Sequence, residues 1–223
     1  MTAVDARQQI LAANQAAASA LRERFTANGT LVVNLISSPG SGKTTLLAAL
    51  ARRLAGRLRM AAIVGDIATE IDADRLREAG LPAHQIVTGG SCHLDARMLE
   101  CALEQRDFGP LDLLFVENVG NLVCPANYDL GEHFKIVLLS VTEGADKPFK
   151  YPGIFSKADV AVLTKWDLLP HVPFDVDAVT GQIALLRPNG RIVRVAATTG
   201  FGLDALATLL CDRVATCKTP ATR

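Results

Sequence analysis

The chain has 223 residues, 49% of them hydrophobic, and its 23 Lys plus Arg are matched by 23 Asp plus Glu. That length fits one large α/β domain or a domain with an arm, and the zero formal charge argues against a nucleic-acid surface, which carries a basic excess, and against a global attraction to an anionic membrane. Five cysteines at irregular spacing do not resemble a secreted disulfide framework, no apolar run reaches membrane-spanning length, and no basic-then-apolar leader opens the chain, so a cytoplasmic setting is expected, with neither nucleic acid nor membrane as partner.

Residues 1–29 read as an N-terminal helical arm packed on the domain. Ile10, Ala17, Leu21 and Phe25 recur at helical spacing, and Asn28-Gly29 closes the run. LVVNLI (31–36) is a continuous apolar run, as in a strand buried on both faces. Further strands are expected at 60–64, 84–87, 111–117, 134–142, 159–164 and 191–196. Helices are expected at 43–55, 72–80, 94–106, near 175–187, and at 203–215. Strands alternating with helices imply a mostly parallel, doubly wound sheet flanked by helices, here over residues 30–215. Residues 216–223 read as a loose C-terminal tail.

SSPGSGKTT (37–45) follows the first strand and opens a helix, which is the setting of a phosphate-binding loop, with Ser37 in place of the pattern's first glycine. Gly40 and Gly42 let backbone amides curl around phosphate oxygens, and the helix N-terminus adds its dipole. Ser41 and Thr45 complete the cradle. Lys43 is expected to reach the β- and γ-phosphates and the Thr44 hydroxyl to bind Mg²⁺. The fold is therefore expected to be of the P-loop NTPase type.

LDLLFVENVG (111–120) ends a core strand with Glu117 and then Gly120. The carboxylate suits Mg²⁺, and the Gly120 amide suits a γ-phosphate, in the manner of the D-x-x-G switch. Asp66 ends the second strand, and Asp72 follows six residues later. One of the two is expected near Mg²⁺ and the other near the attacking water; the competing reading for each is a helix cap or a solvated acid.

TKWD (164–167) reads as a base-recognition element. Asp167 would accept from guanine N1–H and N2–H, two donors that adenine lacks, and a site built around such a pairing rejects the wrong base by roughly 10⁴-fold. The Lys165 stem would lie on the base plane. Thr164 replaces the usual Asn. In RVAATTG (194–200), where a Ser-Ala-Lys element belongs, the triplet is Ala196-Ala197-Thr198, so only the central Ala197 is kept.

GGSCHLDA (89–96) sets Cys92 beside His93. Alone, the pair is compatible with a metal site, a nucleophile with its base, or two structural residues.

These residues together identify a resemblance. NLISSPGSGKTTLL (34–47), TGGSCHLDA (88–96), ENVGNLVCPANYDLGE (117–132), SVTEGADKPFKYP (140–152) and KWDLLP (165–170) resemble the hydrogenase nickel-incorporation GTPases of the HypB type. The resemblance implies a GTPase of the signal-recognition/MinD class, working with GTP/GDP and Mg²⁺ and dimerising on GTP. It also implies metal ligands at Cys92, His93 and Cys124, for Ni²⁺ or Zn²⁺. Implied partners are a HypA-type nickel metallochaperone and the [NiFe]-hydrogenase large subunit. Many members carry an N-terminal C-x-x-C-G-C motif or a His-rich tract; here the first cysteine is Cys92 and only four histidines occur, so a separate nickel store is not expected.

Cys92 and Cys124 both follow strands and so belong at the carboxyl edge of the sheet, where ligands bind in open α/β folds. Two thiolates and an imidazole suit Zn²⁺ or Ni²⁺, and three ligands leave a four-coordinate site open. Two chains related by a two-fold axis could share the cysteines. Cys101, Cys211 and Cys217 read as structural, and His84, His133 and His171 show no ligand spacing. DKPFKYP (146–152) reads as an exposed loop and helix start, or else as a switch or dimer element. The leading expectation is a GTP-switched nickel metallochaperone with turnover on the order of 10⁻³ s⁻¹ in the absence of a supplied arginine. The rivals are an accessory GTPase for another metalloenzyme, of the urease type, and a small-molecule kinase on the same fold.

Overall fold

The computed structural model describes residues 3–218. The elements run α1 (Ala3–Ala27), β1 (Leu31–Ser37), α2 (Lys43–Leu54), β2 (Met60–Asp66), α3 (Ile71–Glu78), β3 (Ala83–Val87), α4 (Ala96–Gln105), β4 (Leu113–Glu117), β5 (Phe134–Ser140), α5 (Lys147–Lys150), α6 (Pro152–Lys157), β6 (Val160–Thr164), α7 (Val176–Leu186), β7 (Arg191–Arg194) and α8 (Leu203–Lys218). Short 3-10 turns cover Cys124–Asn127, Val141–Glu143 and Trp166–His171.

The seven strands form one sheet in the order β3-β2-β4-β1-β5-β6-β7, and every adjacent pair is parallel. A parallel sheet is stable only with both faces covered, and the alternation along β1 shows how this is done. Leu31, Val33 and Leu35 face a core shared with α2, α3 and α8. Val32 faces the other side with α1 and α4, and Ile36 does so with α6 and α7. The chain has the P-loop NTPase fold. No helix among the described residues is long and apolar enough to cross a membrane.

β4 begins at Leu113 and β7 ends at Arg194, each two residues inside its expected range, and three other elements also depart from the sequence expectation. The buried face of α1 is set by Asn14, Ala18, Leu21 and Phe25, whereas Ile10 is exposed: at Ile10 the helix has overrun the surface it packs on. The last helix continues through Lys218, three residues into the segment read as a loose tail; residues 219–223 of that segment, and residues 1–2 of the arm, lie outside the described residues. The strand expected over 134–142 ends at Ser140, whose side chain accepts from the Thr142 N–H and turns the chain into a 3-10 turn. Residues 146–152 form one helical turn closed by a Lys150–Asp146 ion pair at 2.5 Å, followed directly by α6.

Candidate functional site

The parallel sheet aims the carboxyl ends of β1, β2, β4 and β6 at one edge, and there the singled-out residues converge. The loop after β1 reaches α2 through Gly40 and Gly42, both at positive φ (73° and 93°), a conformation that side-chain-bearing residues rarely adopt. Gly42 caps α2, so the first amides of that helix are free for an anion. A cleft of about 510 Å³ is bounded by Lys43, Thr44, Asp66, Asp72, Glu117 and Gly120. A second cavity of about 190 Å³ adjoins it and shares Gly42, Thr45 and Lys165; its other walls include Ser41, Thr164, Asp167 and Ala197. The larger space lies where the sequence reading expects the phosphates, and the smaller where it expects the base.

The phosphate side is short of partners. Glu117 ends β4 between Leu35 of β1 and Val64 of β2, and it is buried. Its Oε1 accepts from the Thr44 hydroxyl at 2.9 Å, while Oε2 is buried with no hydrogen-bond partner. Burial pushes this carboxyl up to about 7, against the pull of Lys43 and the Thr44 hydroxyl. The same burial pushes the Lys43 ammonium down, against Glu117, Asp72, Glu143 and Asp66. Lys43 Nζ donates to Ser37 Oγ at 2.9 Å, so the residue standing where the pattern has glycine supplies the lysine's partner. An orphaned carboxylate oxygen beside a threonine hydroxyl is the donor set that a hard divalent cation takes, and the residues present fit Mg²⁺.

Asp66 Oδ1 accepts from the Ala68 and Thr69 amides, both at 2.9 Å, so this acid also ties the loop after β2 as a local cap. These bonds hold its carboxyl below the usual range, against a desolvation that raises it. Asp72 sits in the first turn of α3 and pairs with Arg75 at 3.6 Å. Arg75 lines the cleft as well, a cation that sequence reading missed because its i,i+3 partner made it look like an ordinary surface pair. Glu143 was also missed. Both its carboxylate oxygens are buried without a well-formed hydrogen bond, and burial pushes its carboxyl up while Ser38, Lys147 and Lys165 pull it down.

The base side is better satisfied. Thr164 Oγ1 donates to the Ser41 carbonyl at 2.7 Å, tying β6 to the phosphate loop. Lys165 adopts a left-handed backbone (φ 54°, ψ 39°), the one non-glycine residue to do so among the described residues, and strain of this kind collects at functional sites. Asp167 is exposed at the mouth of the smaller cavity. Beyond β7, the Ala196 and Phe201 backbones pair and hold Ala197 and Thr198 against that cavity.

Cys92, His93 and Cys124 come together. Their ligating atoms all lie within 4.8 Å of one another, and they form the one such group of three or more among the described residues. Cys92 Sγ is 3.7 Å from His93 Nδ1. The neighbouring Cys124 thiol, with burial, pushes the Cys92 thiol up, while burial pushes the His93 imidazole down and so favours its neutral, ligating form. The His93 ring stacks on Tyr128, with centroids 3.7 Å apart and planes at 29°. Tyr128 precedes Asp129, whose carboxylate takes Arg22 of α1 at 2.5 Å and whose carbonyl takes Asn14 at 2.9 Å. No sequence spacing announces this stack, because its support comes from more than a hundred residues away. Among the other histidines, His133 is held by the Val32 amide at 3.1 Å and by Thr26 at 3.0 Å.

Comparison with known proteins identifies the family. Residues 31–194 match the family model described as CobW/HypB/UreG, nucleotide-binding domain. The chain is similar to the hydrogenase maturation factor HypB of Azotobacter chroococcum, with 50% identity over 200 residues, covering 90% of this chain and 66% of that protein. It is also similar to the hydrogenase/urease maturation factor HypB of Helicobacter pylori, with 41% identity over 210 residues, covering 92% and 86%. The crystal structure of Helicobacter pylori HypB in complex with nickel superimposes with a TM-score of 0.86 at 39% identity, covering 94% of this chain and 98% of that one. The chain thus spans just under two thirds of the length of the Azotobacter relative and most of the Helicobacter one. A parallel sheet with a phosphate loop, a family match over most of its strands and close identity to named relatives lead to one assignment: the chain belongs to the CobW/HypB/UreG nucleotide-binding family, as a member of its HypB hydrogenase maturation factors.

Proposed function

We propose that the chain is a GTP-hydrolysing metallochaperone that dimerises with GTP and delivers nickel during [NiFe]-hydrogenase maturation in the cytoplasm. One observation carries this reading. Glu117, Gly120 and Cys124 stand within eight residues of one another, on a segment that runs from the phosphate cleft into the Cys92–His93–Cys124 cluster. A single stretch of chain therefore answers to both phosphate and cargo metal.

The mechanism follows from the residues. Amides of Gly40, Ser41 and Gly42 and the α2 N-terminus bind the phosphates, and Thr45 closes the cradle. Lys43 leaves Ser37 for the β- and γ-phosphates, whose charge favours its ammonium form. Thr44 and Glu117 hold Mg²⁺, with Asp72 nearby. When bound, that ion neutralises charge on the phosphates and polarises the γ-phosphorus. The Gly120 amide donates to the γ-phosphate. Asp72 orients the attacking water from the cleft wall. Thr164, Lys165, Asp167 and Ala197 form the guanine site. Ni²⁺, or Zn²⁺ with the same donors, is cargo at Cys92, His93 and Cys124. Exposed Ile67, Ile71 and Val123 give the carboxyl edge an apolar character that a GTP-bound second copy would cover. The recipients in this reading are a HypA-type metallochaperone and the hydrogenase large subunit. The Helicobacter pylori relative, named for both hydrogenase and urease maturation, favours a second reading in which urease is served too.

The test is equilibrium dialysis with elemental analysis on apo, GDP-bound and non-hydrolysable-GTP-bound protein. Nickel or zinc should bind in a nucleotide-dependent amount and be lost in Cys92→Ala and Cys124→Ala. Binding that ignores both cysteines would sink the proposal.

A further inference from the structure

The Cys92–His93 loop is held at both ends by two asparagines of the segment after β4. Asn118 is fully buried; its Oδ1 accepts from the Leu94 amide at 3.2 Å, and its Nδ2 donates to Asn34 Oδ1 at 3.3 Å in the middle of β1. Leu94 is also seated directly on β2, where a Cβ added to Gly65 would lie 2.8 Å from its side chain. The Leu94 end of the loop is therefore anchored to the sheet.

The Cys92 end is anchored elsewhere. Asn121 Nδ2 donates to the Cys92 carbonyl at 3.3 Å, and Asn121 Oδ1 accepts from the Val123 amide at 2.8 Å, closing the turn that leads to Cys124. Immediately before Asn121, Gly120 lies against the phosphate loop so closely that a Cβ there would come within 2.9 Å of Pro39 Cα. A change in the phosphate loop that moves Gly120 is handed to Asn121 by one peptide bond, and from Asn121 to the Cys92 backbone by one hydrogen bond.

We propose that Asn121 is the positioning residue that couples nucleotide state to the metal site. With the Leu94 end fixed and the Cys92 end tied to Asn121, a displacement of Gly120 changes the placement of Cys92 relative to His93. The donor geometry, and hence metal affinity, then tracks the nucleotide. This inference rests on the metal site and nucleotide switch proposed above.

Asn121→Asp separates this role from a structural one. It keeps the acceptor for the Val123 amide and replaces the donor to Cys92 with a second acceptor facing a carbonyl oxygen. The readout is Ni²⁺ affinity, followed by the thiolate-to-nickel charge-transfer band, with Mg²⁺·GDP and with a Mg²⁺·non-hydrolysable GTP analogue. The ratio of the two affinities cancels any uniform effect of the added charge. The wild-type ratio should differ from one by about 5-fold or more, the lower range of allosteric coupling, and in Asn121→Asp it should fall toward one while nickel still binds in both states. Asn121→Ala, which removes both hydrogen bonds, should give the same collapsed ratio. A wild-type ratio preserved in both variants overturns the coupling role and leaves the site itself standing. A wild-type protein that binds no nickel, or binds it equally in both states, overturns the function proposed above and this inference with it.

Discussion

The two halves of the nucleotide cleft solve different problems. On the phosphate side a buried carboxyl carries an orphaned oxygen, and a buried ammonium is pushed toward neutrality. On the base side the Thr164 hydroxyl already has its partner in the Ser41 carbonyl, and Asp167 stands in solvent. Buried groups left unpaired are costly. The phosphate side therefore carries an unfavourable contribution that a cation and a phosphate can relieve, whereas the Thr164 hydroxyl on the base side is already paired. Ligand-linked stabilisation should come from the first half and discrimination between bases from the second.

Four substitutions break or sharpen that contrast. Lys43→Ala should have the largest effect, lowering GTP hydrolysis by about 100-fold or more in phosphate-release assays, the scale of losing one preorganised electrostatic donor; turnover at the wild-type rate would refute its catalytic role. Asp167→Ala should come next, with the preference for GTP over ATP falling by about 100-fold or more in competition binding. If ATP still loses by the wild-type margin, the base is read elsewhere.

Glu117→Gln addresses the unfavourable contribution directly. The folded carboxyl titrates at about 7 against an ordinary value of 4.5, so the folded state holds its proton over a window where the unfolded chain has released it. Relative to acid, where both states are protonated, its contribution is unchanged below about pH 4.5, turns against folding as pH rises, and is fully unfavourable above about 7, by on the order of 3 kcal/mol. Glu117→Gln should flatten that slope in nucleotide-free, Mg²⁺-free protein and raise the midpoint of thermal unfolding at pH 8. An unchanged slope would mean that Glu117 is ionised at no cost. The smallest effect is expected for Thr164→Ala, which loses one hydrogen bond to the phosphate loop, about 1 kcal/mol. Thermal unfolding should register the loss while the nucleotide preference set by Asp167 persists.

Much of this cleft was legible in the sequence because its parts are local. The apolar run of β1 followed by Gly40, Gly42 and Lys43 announces strand, turn and anion site within a dozen residues, and Glu117 and Gly120 are read the same way from the end of β4. The remainder depends on pairings that no local pattern encodes. Ile10 fits the helical period of α1 yet is exposed, because periodicity says nothing about where the opposing surface stops. Ser37 departs from the glycine pattern, and only the fold shows its hydroxyl accepting from Lys43. Thr164 departs from the usual Asn, and only the fold shows that its hydroxyl still ties the phosphate loop. Arg75 enters the cleft and Glu143 comes within electrostatic reach of Lys43 through tertiary packing, and Tyr128 stacks on His93 beside Asp129, which is tied to the distant arm.

The stack of His93 on Tyr128 has a consequence for how cargo would change hands. One face of the imidazole is covered, which holds the ring in place while leaving its nitrogens free to bind. In the proposed function, Cys92, His93 and Cys124 would supply three donors and leave a four-coordinate ion one further position. A recipient's donor atom could enter there before any of the three original bonds broke, so transfer would be a stepwise ligand exchange with no release to water. Its speed would then be set by the meeting of two proteins and not by how weakly the first one binds, and a site of this shape could be both tight and generous.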